Sequence, residues 1–156
     1  MSSPLVSIGL PVFNSKKKVV KIINSLLNQD YKNIEIIITD NSNNFETFII
    51  IKKKFNTKKI KYFKNKKNLG SIYNHNKSLI KSNGKYFMWL HDVDTISQNY
   101  ISSCVHALEE DKSKIAVMGK IIYTKKNKTE CFYREPDFKE NSSFLRLKKY
   151  LLSDYP

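Results

Sequence analysis

The stretch IEIIITD, residues 34–40, decides the fold. Its aliphatic side chains follow one another with almost no polar alternation, the pattern of a strand covered on both faces. A strand of that kind belongs to a parallel sheet layered between helices. It stops on Asp40, a carboxylate placed where the strand gives way to a loop.

Working outward, strand-like runs alternate with helical patterns. LVSIGLPVF (5–13) reads as a strand ended by Asn14-Ser15, two residues suited to cap the helix expected over 16–28. In that helix Val19, Ile22, Ile23, Leu26 and Leu27 recur at three- and four-residue steps. After Asp40, NFETFIIIKKKF (44–55) reads as a helix and KIKYF (59–63) as a short strand. SIYNHNKSLIKS (71–82) reads as a helix between Gly70 and the stop signal Asn83-Gly84. YFMWL (86–90) is the next strand, with Trp89 expected in the core, and Ser97 or Asn99 caps a helix running to about Glu110. KIAVMGKIIYT (114–124) is again strand, KKNKTE a loop, CFYRE a strand candidate and SSFLRLKKYLL (142–152) an amphipathic helix. The order predicts an α/β fold, a mostly parallel sheet with helices on both faces.

Composition narrows the class. A chain of 156 residues with 40% hydrophobic and 12% aromatic content is a globular domain, not a disordered one. No apolar run approaches the roughly 20 residues of a membrane span, and MSSPLVSIGLPVFN lacks the basic region of a secretory signal. Cys104 and Cys131 have no metal-type spacing and read as reduced thiols of a cytoplasmic protein. The excess of 28 Lys and Arg over 14 Asp and Glu gives a formal charge of +14, which attracts anions. Only Arg134 and Arg146 carry the guanidinium that sequence-reading nucleic-acid proteins favour, so nucleic acid is not the expected partner. A solvated basic face is expected instead, with weak peripheral contact to anionic lipid headgroups as the alternative.

Ligands of such sheets bind beyond the C-terminal ends of the strands. That rule selects Pro11 to Asn14, Asp40 to Ser42, the 64–70 loop and Asp92 to Asp94. No GxGxxG or GxxxxGK[ST] cradle is present. In FMWLHDVDTIS (87–97), Asp92 and Asp94 stand two apart, which in extended backbone turns both carboxylates to one side. Close carboxylates repel unless a cation lies between them. Hard cations such as Mg²⁺ or Mn²⁺ are commonly held by one or two carboxylates plus substrate phosphates. The competing reading is a turn. Asp40 reads either as a turn or capping residue or as an acceptor for a nucleobase or ribose. His75 reads as exposed, His91 as a buried hydrogen-bonded imidazole with metal ligation the alternative, and His106 has no assigned role.

Taken in order, VSIGLPVFN, SLLNQDYKNIEIIITDNSN, KNLGSIYNHNKSLIKSNGKYFMWLHDVDTIS and NYI resemble family 2 glycosyltransferases of the GT-A fold, over about residues 5–123. The resemblance implies a core over 1–124 that binds a nucleotide-sugar, and a segment 125–156 that opens the acceptor side. It implies that Pro11, Val12, Phe13 and Asn14 lie against the base. Asp40 would contact the uracil of a UDP-sugar, and Asn68, Leu69 and Gly70 would lead into a nucleotide-facing helix. His75 stands where the family often has Arg, before a matching Asn76. Asp92 and Asp94 match the acidic motif for ribose and a divalent metal, Mg or Mn. The implied reaction is inverting transfer to a glycan or lipid-linked acceptor in surface polysaccharide synthesis, in the cytoplasm or at the inner face of the membrane.

Two departures leave alternatives open. In the ungapped register Val93 falls where the strongest metal-binding Asp of the family stands, and a one-residue shift restores D-x-D. The catalytic base of the family comes later than Pro156, and Glu135, Asp137 and Asp154 are the late carboxylates here. The chain therefore reads as an enzyme, as the donor half of one, or as a silent nucleotide-sugar-binding module. A basic nucleic-acid-binding protein is the remote alternative.

Overall fold

A computed structural model describes residues 3–119, 123–125 and 128–130. They fall in two compact units, Met1–Val117 and Met118–Pro156. The first holds β1 (Val6–Val12), α1 (Lys18–Leu27), β2 (Ile34–Asp40), α2 (Glu46–Lys54), β3 (Ile60–Lys64), α3 (Ser71–Ile80), β4 (Tyr86–Trp89) and α4 (Tyr100–Glu110). The second holds β5 (Tyr123–Lys125) and β6 (Lys128–Glu130), an antiparallel pair.

The four strands of the first unit form a parallel sheet in the order β3-β2-β1-β4. Every residue of β1 and β2 is buried, as the unbroken aliphatic run of β2 requires. Strand side chains alternate between faces. Val6, Ile8, Leu10 and Val12 of β1, with Ile34, Ile36 and Ile38 of β2, point into the main core. Against them pack Val19, Ile22, Ile23 and Leu26 of α1, Ile51 of α2, and Ile101 and Val105 of α4. Each such aliphatic side chain contributes about 1.5–3 kcal/mol by leaving water.

The other face carries α3, whose inward residues are polar: Asn74 and Ser78. Gly9 allows this close approach. A methyl group there would stand 2.5 Å from Ser78 Oγ and 2.6 Å from the Phe87 ring.

Several expectations are corrected. Trp89 is 43% exposed, because its face of β4 has α3 only at one side; its indole N–H donates to His75 O and Ser78 Oγ at 3.2 and 3.1 Å. His91 is exposed, since β4 has ended before it. Residues 114–119 are not strand, and Ile115 is 99% exposed: no strand among the described residues pairs with them. Tyr123–Lys125 is strand as expected, whereas KKNKTE is not all loop, because Lys125 closes β5 and Lys128 opens β6. Ser15 does not cap α1 with its side chain, and Asn99, although at the N-cap of α4, makes no side-chain cap bond. CFYRE and the helix expected over 142–152 lie outside the described residues. No helix among the described residues is long and apolar enough to cross a membrane.

Candidate functional site

The mouth of β1 and β2 comes first. Their register sets Val12 beside Asp40. Beyond it, Pro11 and Val12 are buried while Phe13 and Asn14 are exposed, and Asn14 turns the chain with φ 51°. The Asn14 N–H donates to Ser42 Oγ at 2.7 Å. Ser42 in turn donates its hydroxyl and, at 2.7 Å, its backbone N–H to Asp40 Oδ1. The Tyr62 hydroxyl donates to Asp40 Oδ2, and Lys64 Nζ lies 3.7 Å from the same oxygen. Asp40 is 0% exposed, with both oxygens engaged. Burial, reinforced by the Asp40 carboxylate, pushes the Tyr62 phenol far above its ordinary value, so Tyr62 remains a donor at any physiological pH.

Three buried amides tie the next loops together. Asn65 Nδ2 donates to Asn41 Oδ1 at 2.6 Å and to Asn74 Oδ1 at 3.0 Å. Asn74 Nδ2 donates to Thr39 O at 2.9 Å and Val12 O at 3.3 Å, and Asn41 Nδ2 to Gly70 O at 2.9 Å. Side-chain amides both donate and accept, so one residue type can bridge strand ends without a net charge. Gly70 opens α3 with φ 84° and ψ 164°, a conformation open only to glycine, and its N–H donates to Asn68 Oδ1 at 2.9 Å.

The acidic segment is a turn rather than an extended run: the Asp94 N–H donates to His91 O at 3.1 Å. Strand alternation therefore does not apply, and Asp92 and Asp94 are held by different partners. Asp92 Oδ2 accepts from the Ser15 hydroxyl beyond β1, whereas Asp94 Oδ2 accepts from the His91 N–H at 2.9 Å. Val93, between them, is exposed. The His75 ring stands 5.3 Å from His91 and 6.3 Å from Trp89, centroid to centroid. Ser71, Ile72, His75, Asn76 and Trp89 line a shallow cleft of about 280 Å³ there.

The predicted positions thus gather at one edge of the sheet. Strands β2 and β4 flank β1, so Asp40 and the acidic turn open on the same side, two strand spacings or about 10 Å apart. The sequence reading missed Tyr62 and Asn74, took Ser15 only for a helix cap, and selected the segments that hold Asn41 and Asn65 without giving either a role. Some had a signal: Asn41 and Asn65 directly follow β2 and β3, Ser15 lies in the loop after β1, and Asn74 is a polar residue at an inward position of α3, whereas Tyr62 sits mid-strand and had none.

The family model for Glycosyl transferase family 2 matches residues 7–154. This chain is a member of glycosyltransferase family 2. It is 35% identical over 108 residues to UDP-Glc:alpha-D-GlcNAc-diphosphoundecaprenol beta-1,3-glucosyltransferase WfaP of Escherichia coli, a match covering 69% of this chain and 43% of that protein. It is 31% identical over 102 residues to the putative colanic acid biosynthesis glycosyl transferase WcaA of Escherichia coli K12, covering 65% and 37%. Its fold is similar to S. aureus TarS 1-349 in complex with UDP, with TM-score 0.62 and 24% identity over 67% of this chain and 32% of that one. It is equally similar to the mannosyltransferase PcManGT from Pyrobaculum calidifontis in complex with GDP-Man and Mn2+, with TM-score 0.62 and 15% identity over 69% and 33%. The fold of this family 2 chain is GT-A. It spans less than half the length of these relatives.

Proposed function

We propose that this family 2 chain binds a nucleotide-diphospho-sugar, a UDP-sugar, in the crevice at the C-terminal edge of its sheet, for inverting transfer of the sugar to a hydroxyl of a glycan or lipid-linked acceptor. The observation that carries this reading is the convergence of four strand mouths on one edge, braced by the Asn41–Asn65–Asn74 amides and the Ser15–Asp92 bond. In this reading the Pro11–Asn14 loop, Asn68–Gly70, His75 and the acidic turn share one binding space. A relative whose name gives a UDP-Glc donor and a diphosphoundecaprenol-linked acceptor supports it.

In this reading the base lies against Phe13 and Asn14. Its imide N–H reaches Asp40 by taking the place of the Tyr62 or Ser42 hydroxyl, both of which rotate about a single bond. Asp92 receives the ribose. His75, at the first turns of α3, faces the diphosphate. An acceptor hydroxyl attacks the anomeric carbon from the side opposite the departing diphosphate, and a carboxylate base takes its proton. Among the described residues, Asp92 and Asp94 are the acids of this edge not enclosed by partners, and Glu135, Asp137 and Asp154 lie outside them.

Asp92 and Asp94 suit a hard divalent cation whose remaining ligands are phosphate oxygens and water. Each has one carboxylate oxygen bonded within the protein, Asp92 to Ser15 and Asp94 to the His91 N–H, which leaves its other oxygen to offer a cation that arrives with its diphosphate. Mg²⁺ or Mn²⁺ there would neutralise charge on the leaving group.

A second reading is favoured by Val93, which stands exposed in the middle of the acidic turn: a nucleotide-sugar-binding module without turnover. Isothermal titration with UDP and Mn²⁺ tests the shared claim, and heat at millimolar UDP is expected; none would overturn both readings. Release of free UDP from a UDP-sugar separates the enzyme from the silent module.

A further inference from the structure

Helix α3 is built inside out. Its buried residues are Asn74 and Ser78, whereas Ile72 and Ile80 are 80% and 77% exposed, with Tyr73 and Leu79 exposed beside them. Positions 72, 73, 76, 79 and 80 repeat at helical spacing and share one outer face. Trp89 continues the surface from β4, anchored edge-on by its N–H to α3. Contiguous exposed apolar surface of this kind marks an interaction site.

Charge selects the partner. From Asn65 to His91 the sequence holds Lys66, Lys67, Lys77, Lys81 and Lys85 and no Asp or Glu. Of these, only Lys85 forms an ion pair among the described residues, with Glu109 at 2.5 Å. Lys77 donates to Asn65 and Lys81 lies over the Phe63 ring, which leaves both charges uncompensated. A second copy of this chain would oppose lysines to lysines. An apolar stripe with aromatic residues at its border and flanking cations is the pattern of a helix that lies in the headgroup layer of an anionic membrane.

We propose that the outer face of α3, with Trp89, docks this chain on an anionic phospholipid surface. Ile72 belongs both to this face and to the cleft with His75, so docking sets the crevice at the bilayer. This placement deepens the reading of a lipid-linked acceptor and rests on that reading only for its purpose; vesicle binding needs neither donor nor turnover, so the two fail separately.

The test is sedimentation of the 156-residue chain with vesicles of phosphatidylglycerol and phosphatidylcholine, followed also by the emission of its single tryptophan. Binding and a blue shift of Trp89 are expected at low salt, with weak binding to phosphatidylcholine alone. The double variant Leu79→Gln, Ile80→Gln lowers vesicle affinity about tenfold, and Lys66→Gln, Lys67→Gln, Lys81→Gln does the same. The control Lys52→Gln, Lys53→Gln, Lys54→Gln removes equal charge from α2, on the opposite face of the sheet, and changes affinity less than twofold. All three sets change exposed residues, and circular dichroism verifies their folding. Absence of binding to anionic vesicles overturns the proposal. So does equal loss in the α2 control, which reduces the effect to net charge. Self-association that Leu79→Gln, Ile80→Gln abolishes, without vesicle binding, reassigns the face to a second copy.

Discussion

The Ser15 hydroxyl donates to Asp92 Oδ2, so a residue just beyond β1 holds the acidic turn that follows β4. Ser15 was expected to cap α1, and its backbone carbonyl still accepts the Val19 N–H at 3.0 Å. The side chain is instead spent across the crevice. Ser15→Ala is expected to cost about 1.5 kcal/mol of stability, the lower end for a hydrogen bond to a charged group. It should also loosen UDP binding severalfold by freeing Asp92. Urea denaturation and calorimetric titration check the two effects, and unchanged UDP affinity would mean that Asp92 does not face the nucleotide.

The Val93 side chain is solvent-exposed, so a carboxylate there carries little desolvation cost. Val93→Asp is expected to strengthen UDP binding in Mn²⁺ about threefold or more and to leave metal-free binding unchanged. Asp94→Ala should act in the reverse direction. If Val93→Asp weakens metal-dependent binding, the cation is held elsewhere.

Asn74 accepts from Asn65 and donates to two strand carbonyls. In Asn74→Leu these groups lose their partner inside the protein, and each buried unsatisfied group costs about 1–3 kcal/mol. A loss of roughly 3 kcal/mol or more, read from the urea midpoint, is expected. A loss under about 1 kcal/mol would show that water substitutes for the amide.

Gly9→Ala forces a methyl group against Ser78 and Phe87. Overpacking of this kind costs about 1–3 kcal/mol. Because the second contact is a ring held by Trp89 at 5.0 Å, Ser78→Gly should relieve only part of the cost, which a double-mutant comparison of melting curves will measure.

Glu35 reports on acid stability. Burial by itself raises its carboxyl, but bonds from Lys61, Ser7 and the Asn83 N–H outweigh it, and the group titrates below its ordinary value of 4.5. Its contribution is therefore complete above about pH 4.5 and is lost as pH falls through the lowered value. The urea midpoint should be level from neutrality to about pH 5 and then decline, and Glu35→Gln should flatten the decline while lowering the plateau. A decline of the same slope in Glu35→Gln would assign the acid sensitivity to other carboxylates.

How much of this was legible in the sequence depends on what each residue was asked to reveal. β2 was read residue for residue, because nothing but two covered faces makes such an aliphatic run stable. The same logic failed over 114–119, where Ile115 is exposed and no strand among the described residues pairs with the segment, a fact no local pattern encodes. Trp89 was expected inside because aromatic rings usually are, yet the face it occupies is only partly roofed. The acidic pair is legible as residue types but not as a geometry, since a turn at His91–Asp94 breaks strand alternation. The amide cluster stayed hidden because asparagine reads as a loop former, and its role appears only once β1, β2, β3 and α3 meet.

Asn41, Asn65 and Asn74 link the loops to one another and to backbone carbonyls through neutral amides, with the Lys77 ammonium as an added donor to Asn65. Amides take up no protons between acid and alkaline extremes, and their bonds do not weaken as counterions crowd the solution. The amide links between these loops should therefore persist through changes of acidity and salt that would disturb a scaffold clamped by ion pairs alone.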